Sequence, residues 1–411
     1  MINRGIRKDA RFQSSQMKDK QELVSEALDD LRIELPSWGF ANTGTRFGKF
    51  MQAAAATTLE DKFSDAAHVH QLTGSCPTIA LHVQWDLPNG IDDTAKVREL
   101  AQAFGIRPGS INPNLFQNQE YKYGSVCNPD PAIRQLAVDN ILGCIEIAKR
   151  LGSRDICPWF ADGSSYPGTQ SMYKRIRWIE EAVKAAHAHL DPDQRLLIEY
   201  KPFEPFFYHT DVADWGMALS LAQAAGPQAL VLVDTGHHYQ AQNIEQIVTW
   251  LLHRKLLGGF HFNDRRYADD DLTLGSIDPY QVFRIFHEFF NYSFETGAAA
   301  DVAFMIDQSH NLKGKIEAMI QTICTAQELY ARAVLVDRER LAAAQSTCHL
   351  IRAEEIFRDA FWFDVKPLVK EWRRSKKLPI DPLEAFEHCG YLERISAERE
   401  ERNMKAVTSY A

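Results

Sequence analysis

Four residues carry the strongest chemical signal. Glu199 closes the apolar run LLIE, Asp234 closes ALVLVD, His261 lies inside GGFHFND, and Asp307 closes VAFMID. Each stands at or near the C-terminal end of a candidate buried strand. A carboxylate buried there without a partner would cost on the order of several kcal/mol, and three at one mouth would also repel one another. A divalent cation relieves both penalties at once. Hard oxygen ligands with one imidazole suit Mn2+, Mg2+ or Co2+ in near-octahedral coordination better than zinc in a closed thiolate site. For any one of these residues alone, the competing reading is an ordinary ion pair or a strand-end hydrogen bond.

A second cluster follows the same strands. His237 comes three residues after Asp234 in DTGHH, and YADDDLTLGSID supplies Asp269 and Asp271 just after the strand carrying His261. A calcium EF-hand is excluded, because Leu274 stands where its glycine is required and Tyr280 where its closing glutamate is required. The run reads either as a solvated acidic loop or, with His237, as the holder of a second metal, and two metals can clamp both oxygens of a substrate. Lys201 is two residues beyond Glu199 and so on the same side of the strand, placed to bind a sugar oxygen, to stabilise an alkoxide, or to pair with a ligand carboxylate. His82 in LHVQWD reads as a hydroxyl-binding imidazole or a satisfied core histidine. Trp38, Trp85 and Trp159 suit stacking on the apolar face of a sugar as well as plain barrel packing.

The elements that must position these groups are legible as alternation. Eight short apolar runs, SWGF, TIALHV, GSINP, DICPWF, LLIEYK, ALVLVD, GGFHFND and VAFMID, are separated by helical patterns. Val97, Leu100, Ala101 and Phe104 repeat at helical spacing before Gly105; Ile141, Cys144, Ile145, Ala148 and Leu151 do so before Gly152. Asn243 caps a helix carrying Ile244, Ile247, Val248 and Leu251, with Gly258 beyond its end. Near-continuous apolar strands alternating with helices imply a parallel sheet buried on both faces, and eight units favour a closed (β/α)8 TIM barrel over an open doubly wound sheet. The expected organisation is an N-terminal extension over 1–34, the α/β barrel over 35–335, and a helical C-terminal extension over 336–411 that makes oligomer contacts. A helical stretch, QELVSEALDDLRI, is expected to run to Pro36, residues 1–20 read as a mobile polar tail, and KEWRRSKK at 370–377 as a solvated helix face.

Composition narrows the classes. The chain has 411 residues, 45% hydrophobic and 25% charged, which excludes general disorder, and its net charge of −9 argues against nucleic-acid or anionic-membrane partners. Seven scattered Cys with no CxxC, and an N-terminus with no apolar core segment, fit a reducing cytoplasm better than secretion. No run is long enough for a transmembrane helix. NTGTRFGKF is one residue short of a P-loop, and neither G-x-S-x-G nor a credible Cys/His nucleophile pair is present.

The segments IEYKPFEP, LVDTGHHYQAQNIE, GGFHFNDRRYADDDLTLGSIDPYQ and MIDQSHNLKGKIEAMIQT resemble the bacterial L-rhamnose isomerases of the broad-specificity type, in the xylose isomerase-like TIM-barrel group. The resemblance covers about residues 35–330, with DTGHH and ADDDLTLGSIDP the most specific motifs. It implies an aldose–ketose isomerase with two divalent metals, usually manganese, assembled as a homotetramer. It carries a structural-metal role onto Glu199, Asp234, His261 and Asp307, and a catalytic-metal role onto His237, Asp269 and Asp271. It maps substrate contacts onto His82, Trp85, Lys201 and Ser309, and makes ANTGTRFGKF a loop that closes over a neighbouring subunit's site with Phe47 as its wedge.

The expected reaction moves hydrogen between C1 and C2 of an open-chain sugar, L-rhamnose to L-rhamnulose, with L-mannose, L-lyxose and D-allose as further aldoses. Asp307 is the carboxylate expected to manage the proton of a water or hydroxide bound to the second metal. The rivals are a one-metal sugar 3-epimerase, which needs carboxylates on opposite faces of one carbon, and a metal-stabilised sugar-binding protein without turnover.

Overall fold

The structure, a computed structural model, describes residues 19–43, 50–204, 209–267 and 271–404. The tail 1–18, Phe47 and Asp269 lie outside the described residues. Eight parallel strands close into one barrel in sequential order: β1 Ile33–Pro36, β2 Thr78–His82, β3 Arg107–Asn112, β4 Asp155–Ile156, β5 Arg195–Glu199, β6 Ala229–Asp234, β7 Leu257–Phe262 and β8 Ala303–Ile306. One long helix follows each strand: α1 Leu59–Thr73, α2 Thr94–Phe104, α3 Pro131–Leu151, α4 Met172–His187, α5 Trp215–Ala225, α6 Ile244–His253, α7 Pro279–Thr296 and α8 Lys315–Val334. The expected TIM barrel is the observed fold.

Local chemistry sets the boundaries. Asn243 accepts from the Gln246 amide at the start of α6, and Gly105 and Gly152 end α2 and α3 at φ 69° each, as expected. Gly258 is a correction. Helix α6 ends at His253, Lys255 takes the left-handed turn at φ 58°, and Gly258 lies inside β7. A Cβ there would come within 2.5 Å of Leu197 Cδ2 and 2.6 Å of Leu230 Cβ, so its bareness serves close packing between strands.

The first strand is a second correction. The run SWGF forms a 3-10 turn, Ser37–Phe40, and β1 is the preceding segment IELP, while the N-terminal helix stops at residue 30 instead of reaching Pro36. The apolar pattern is broken by Glu34, which is buried nonetheless. Its carboxylate accepts from the Ser110 amide at 2.9 Å and hydroxyl at 2.6 Å, over Gly109, where a side chain would collide with it. Run four is also shorter than DICPWF: Asp155–Ile156 pairs with β5 and Trp159 rejoins Glu199 in an isolated bridge.

The barrel interior is stacked in layers. Arg195 grips Asp155 at 2.7 and 3.0 Å near the N-terminal ends of the strands. Above it, Cys157, Leu197, Leu232 and Met305 form a small apolar cluster of their own. Two residues further along their strands stand Trp159, Glu199, Asp234 and Asp307. The period of two therefore delivers all of them to the next layer, at the mouth.

Five helices, α9 Arg338–Ser346, α10 Leu350–Trp362, α11 Lys366–Ser375, α12 Pro382–His388 and α13 Tyr391–Met404, follow the barrel. KEWRRSKK is not simply a solvated face. Trp372 and Arg373 are buried, with the Trp372 indole donating to Asp29 at 2.8 Å and Arg373 to the Leu72 carbonyl. Among the described residues no helix is long and apolar enough to cross a membrane.

His287 of α7 packs edge-on against Phe357 of α10, ring centroids 4.8 Å apart. Burial, helped by the charge of Arg338, depresses its imidazole to about 3. The unfolded chain then binds a proton below pH ~6.5 that the native state refuses, so this residue lowers stability as pH falls through that window, by at most about 1.4 kcal/mol per pH unit. His287→Phe is expected to gain stability relative to the parent between pH 7 and pH 5 in denaturant titrations; a difference that does not change with pH would contradict the neutral buried imidazole.

Candidate active site

The four strand-end residues meet. Glu199, Asp234, His261 and Asp307 each offer a ligand atom, and these atoms all lie within 4.8 Å of one another. Strand register explains it: Asp234 is the partner of His261 across β6 and β7, and Asp307 follows Ile306, the partner of Phe262. His261 Nδ1 stands 3.2 Å from Glu199 Oε1, 3.6 Å from Asp234 Oδ2 and 3.9 Å from Asp307 Oδ2. Burial works to lower the pKa of this imidazole, but the carboxylates of Glu199 and Asp234 prevail and hold it well above its ordinary range. Burial, with the charges of Asp234 and Glu199, lifts the Asp307 carboxyl to about 6. Three converging carboxylates and an imidazole form a donor set that could hold a hard divalent cation.

Each donor is held from behind. The Trp38 indole N–H donates to Asp307 Oδ1 at 2.8 Å, which leaves Oδ2 facing the cluster. The Asn263 amide nitrogen donates to both oxygens of Asp234, at 3.0 and 3.2 Å, and to the Asp307 carbonyl at 3.1 Å, so one buried side chain ties β6 to β8. Nothing in the motif GGFHFND marks Asn263 for this role except its place two residues after His261, on the same side of the chain. The Gly236 amide donates to Asp234 Oδ1. His237 and His238 divide their labour. His237 Nδ1–H donates to the Tyr200 carbonyl at 2.8 Å and stands 3.4 Å from Glu199 Oε1, whereas His238 is buried against the Tyr200 hydroxyl at 2.6 Å.

A cavity of about 420 Å3 opens above the cluster, lined by Trp38, His82, Trp85, Trp159, Lys201, His237 and Asp271 as well as Glu199, His261 and Asp307. Seven of the residues expected to contact substrate or a second metal are thus brought to one space. Asp271 takes a left-handed conformation at φ 47°, beside a two-way backbone bridge at 2.9 Å between Asp264 and Leu272. Ser309 is not among the lining residues; its hydroxyl lies 2.7 Å from that of Thr43. Lys201 Nζ sits 2.5 Å from Glu204 Oε1 and 5.0 Å from the Trp159 ring centre, a cation–π contact. Asn112, from the run GSINP, and Phe116 complete one wall; Phe116 packs against Trp159 and His82.

His82 is 4% exposed, and neither ring nitrogen finds a hydrogen-bond partner among the described residues. It stacks on Trp85 at 3.9 Å, while its backbone amide is held by the buried Asp86. Burial lowers its pKa to about 4, so near neutrality it is an uncharged imidazole with an open acceptor. Trp85 itself stands on a short helical turn after the strand and donates to Gln117 at 3.0 Å.

A second grouping, Cys127, Asp162 and Asp211, has the spacing of a metal site. Its acceptors are already occupied: Asp162 receives the Ser125 and Cys127 amides at 2.7 and 2.6 Å, and Asp211 grips the fully buried Arg175 at 2.6 Å. It is a structural lock.

Residues 78–296 match the family model described as xylose isomerase-like TIM barrel. A probable sugar isomerase of Rhizobium meliloti is 39% identical over 372 residues, spanning 89% of this chain and 86% of its own. A probable sugar isomerase of Mesorhizobium japonicum is 38% identical over 383 residues, spanning 92% and 88%. Among solved structures, an L-ribulose 3-epimerase aligns with a TM-score of 0.52 at 14% identity, covering 78% of this chain and 98% of that one, a likeness of fold alone. The protein belongs to the xylose isomerase-like TIM barrel family.

Proposed function

We propose that the protein is a metal-dependent aldose–ketose isomerase that interconverts L-rhamnose and L-rhamnulose and accepts related aldoses such as L-mannose, L-lyxose and D-allose. The observation that carries this reading is the convergence of Glu199, Asp234, His261 and Asp307 under a cavity walled by aromatic rings and supplied with Lys201 and His82. The relationship to two probable sugar isomerases, over 89% and 92% of this chain, supports it. Two divalent cations, manganese by the resemblance above, would be held by the four-residue set and by His237 with Asp271 and Asp269. When bound, a divalent cation polarises a carbonyl and makes a neighbouring hydroxyl more acidic.

The residues supply the rest. Isomerisation breaks C2–H, forms C1–H and moves a proton from O2 to O1, with no net oxidation. Asp307 takes that proton and returns it, while Trp38 keeps the carboxylate from turning away. Lys201 offers a cation to negative charge developing on a sugar oxygen. His82, uncharged, accepts from a hydroxyl, and Trp85, Trp159 and Phe116 cover the apolar face and exclude water. The same barrel architecture suits a 3-epimerase, and the residues that favour isomerisation are His237 and Asp271 on the cavity wall.

The test is a substrate panel with and without added manganese. Ketose formation from L-rhamnose, and more slowly from the other three aldoses, is expected. No ketose from any of the four would reject the reading. A homotetramer in solution is part of the same proposal.

A further inference from the structure

Helix α13 is the last element described, yet its Arg399 and Asn403 are each 2% exposed. Both reach back roughly 350 residues, to the segment between β1 and α1. Asn403 Nδ2 donates to the carbonyls of Ala53 and Ala55 at 2.8 and 2.9 Å, and its Oδ1 accepts from Asn42 Nδ2 at 2.8 Å. Arg399 donates to the Ala54 carbonyl at 2.9 Å and grips Asp65 of α1 at 2.7 and 2.9 Å. Three successive carbonyls of an irregular stretch are thereby capped by one helix.

The division of contacts is informative. Arg399 and Asp65, with the Tyr391 hydroxyl on Asp65 at 2.8 Å, are sufficient to dock α13 on α1. The three side-chain hydrogen bonds of Asn403 all go to the segment and none to α1. The segment's two limbs are also sewn together. Asn42 exchanges hydrogen bonds with the Gln52 backbone at 3.0 and 3.2 Å, and the Ala56 amide donates to the Phe40 carbonyl at 2.9 Å. From there the connections enter the site. Gln52 donates to the carbonyls of Asn311 and Lys313, Thr43 meets Ser309, two residues beyond Asp307, and Trp38 holds Asp307 itself.

We propose that α13 is a positioning element of the active site: Asn403, with Arg399, fixes the neck formed by residues 40–43 and 52–56, and through it sets Trp38 against Asp307. The placement rests on the contacts above; its consequence for turnover rests on the isomerase reading.

Asn403→Ala in the full-length protein is the test, because Arg399 and Asp65 remain to dock the helix. Amide hydrogen exchange in segments 38–43 and 50–56 is expected to accelerate about tenfold, the worth of roughly one lost hydrogen bond, with the barrel strands unchanged. The kcat for the aldose should fall about tenfold with little change in KM or melting temperature, as for a small misplacement of a catalytic group. Asn42→Ala, which cuts the same link from the other side, should reproduce both effects and serves if the first variant does not fold. Unchanged exchange at the neck, acceleration spread uniformly over the chain, or a loosened neck with unaltered kcat would each overturn the proposal. If the parent protein turns over no aldose, the isomerase reading fails, and the exchange pattern alone decides the placement.

Discussion

Stripping divalent metal with a chelator is expected to lower aldose turnover by about a thousandfold or more, because Lewis-acid polarisation supplies several kcal/mol to the transition state and each ~1.4 kcal/mol is a factor of ten. Manganese or cobalt should restore it. The motive is the donor set itself: three carboxylates, those of Glu199 and Asp234 buried and that of Asp307 partly so, pressed around one buried imidazole, with His261 driven strongly toward its charged form and Asp307 toward its neutral one. Those are the adjustments made by a cluster with more negative charge than its surroundings can hold. Glu199→Gln removes one donor and keeps the shape. It should lose metal, and with it the stabilisation that a ligand of the native state confers. Metal content by mass spectrometry and a thermal melt check the variant; full turnover in a sample verified as metal-free would end the metal mechanism.

Lys201→Met should lower kcat by roughly a hundredfold, typical of losing one preorganised charge-stabilising group, with metal content unchanged. Its ammonium reaches the cavity wall between Glu204 and the Trp159 ring, so methionine keeps the stem against the ring and deletes the charge. A group that acts mainly on the transition state shows itself in kcat, and uniform binding shows in KM alone. If the variant folds poorly while the surviving molecules turn over normally, Lys201 is a structural partner of Glu204.

The barrel and its charged mouth were legible because both depend on local pattern. Apolar runs ending in an acid mark a strand whose last inward residue faces an opening, and Glu199, Asp234 and Asp307 all obey that rule. β1 escaped because Glu34 interrupts its apolar run and finds its partner on Ser110, a contact between residues 76 apart. Gly258 was misassigned because a glycine after a helix and a glycine serving strand packing are alike in one dimension. Asn263 and Asn403 escaped for a related reason. Each is an ordinary polar residue whose role lies wholly in its partners, and for Asn403 those partners are hundreds of residues away. Asp271 lines the cavity, Asp269 and Phe47 lie outside the described residues, and Ser309 meets Thr43 instead of lining the cavity.

The most direct test of the isomerase account starts from the ketose. Manganese-loaded protein is given pure L-rhamnulose, and the sugars are followed by carbon NMR. The account predicts that L-rhamnose appears and that the same final mixture is reached from L-rhamnose. Accumulation of the ketose epimerised at C3, with no aldose formed, would contradict it and identify an epimerase instead.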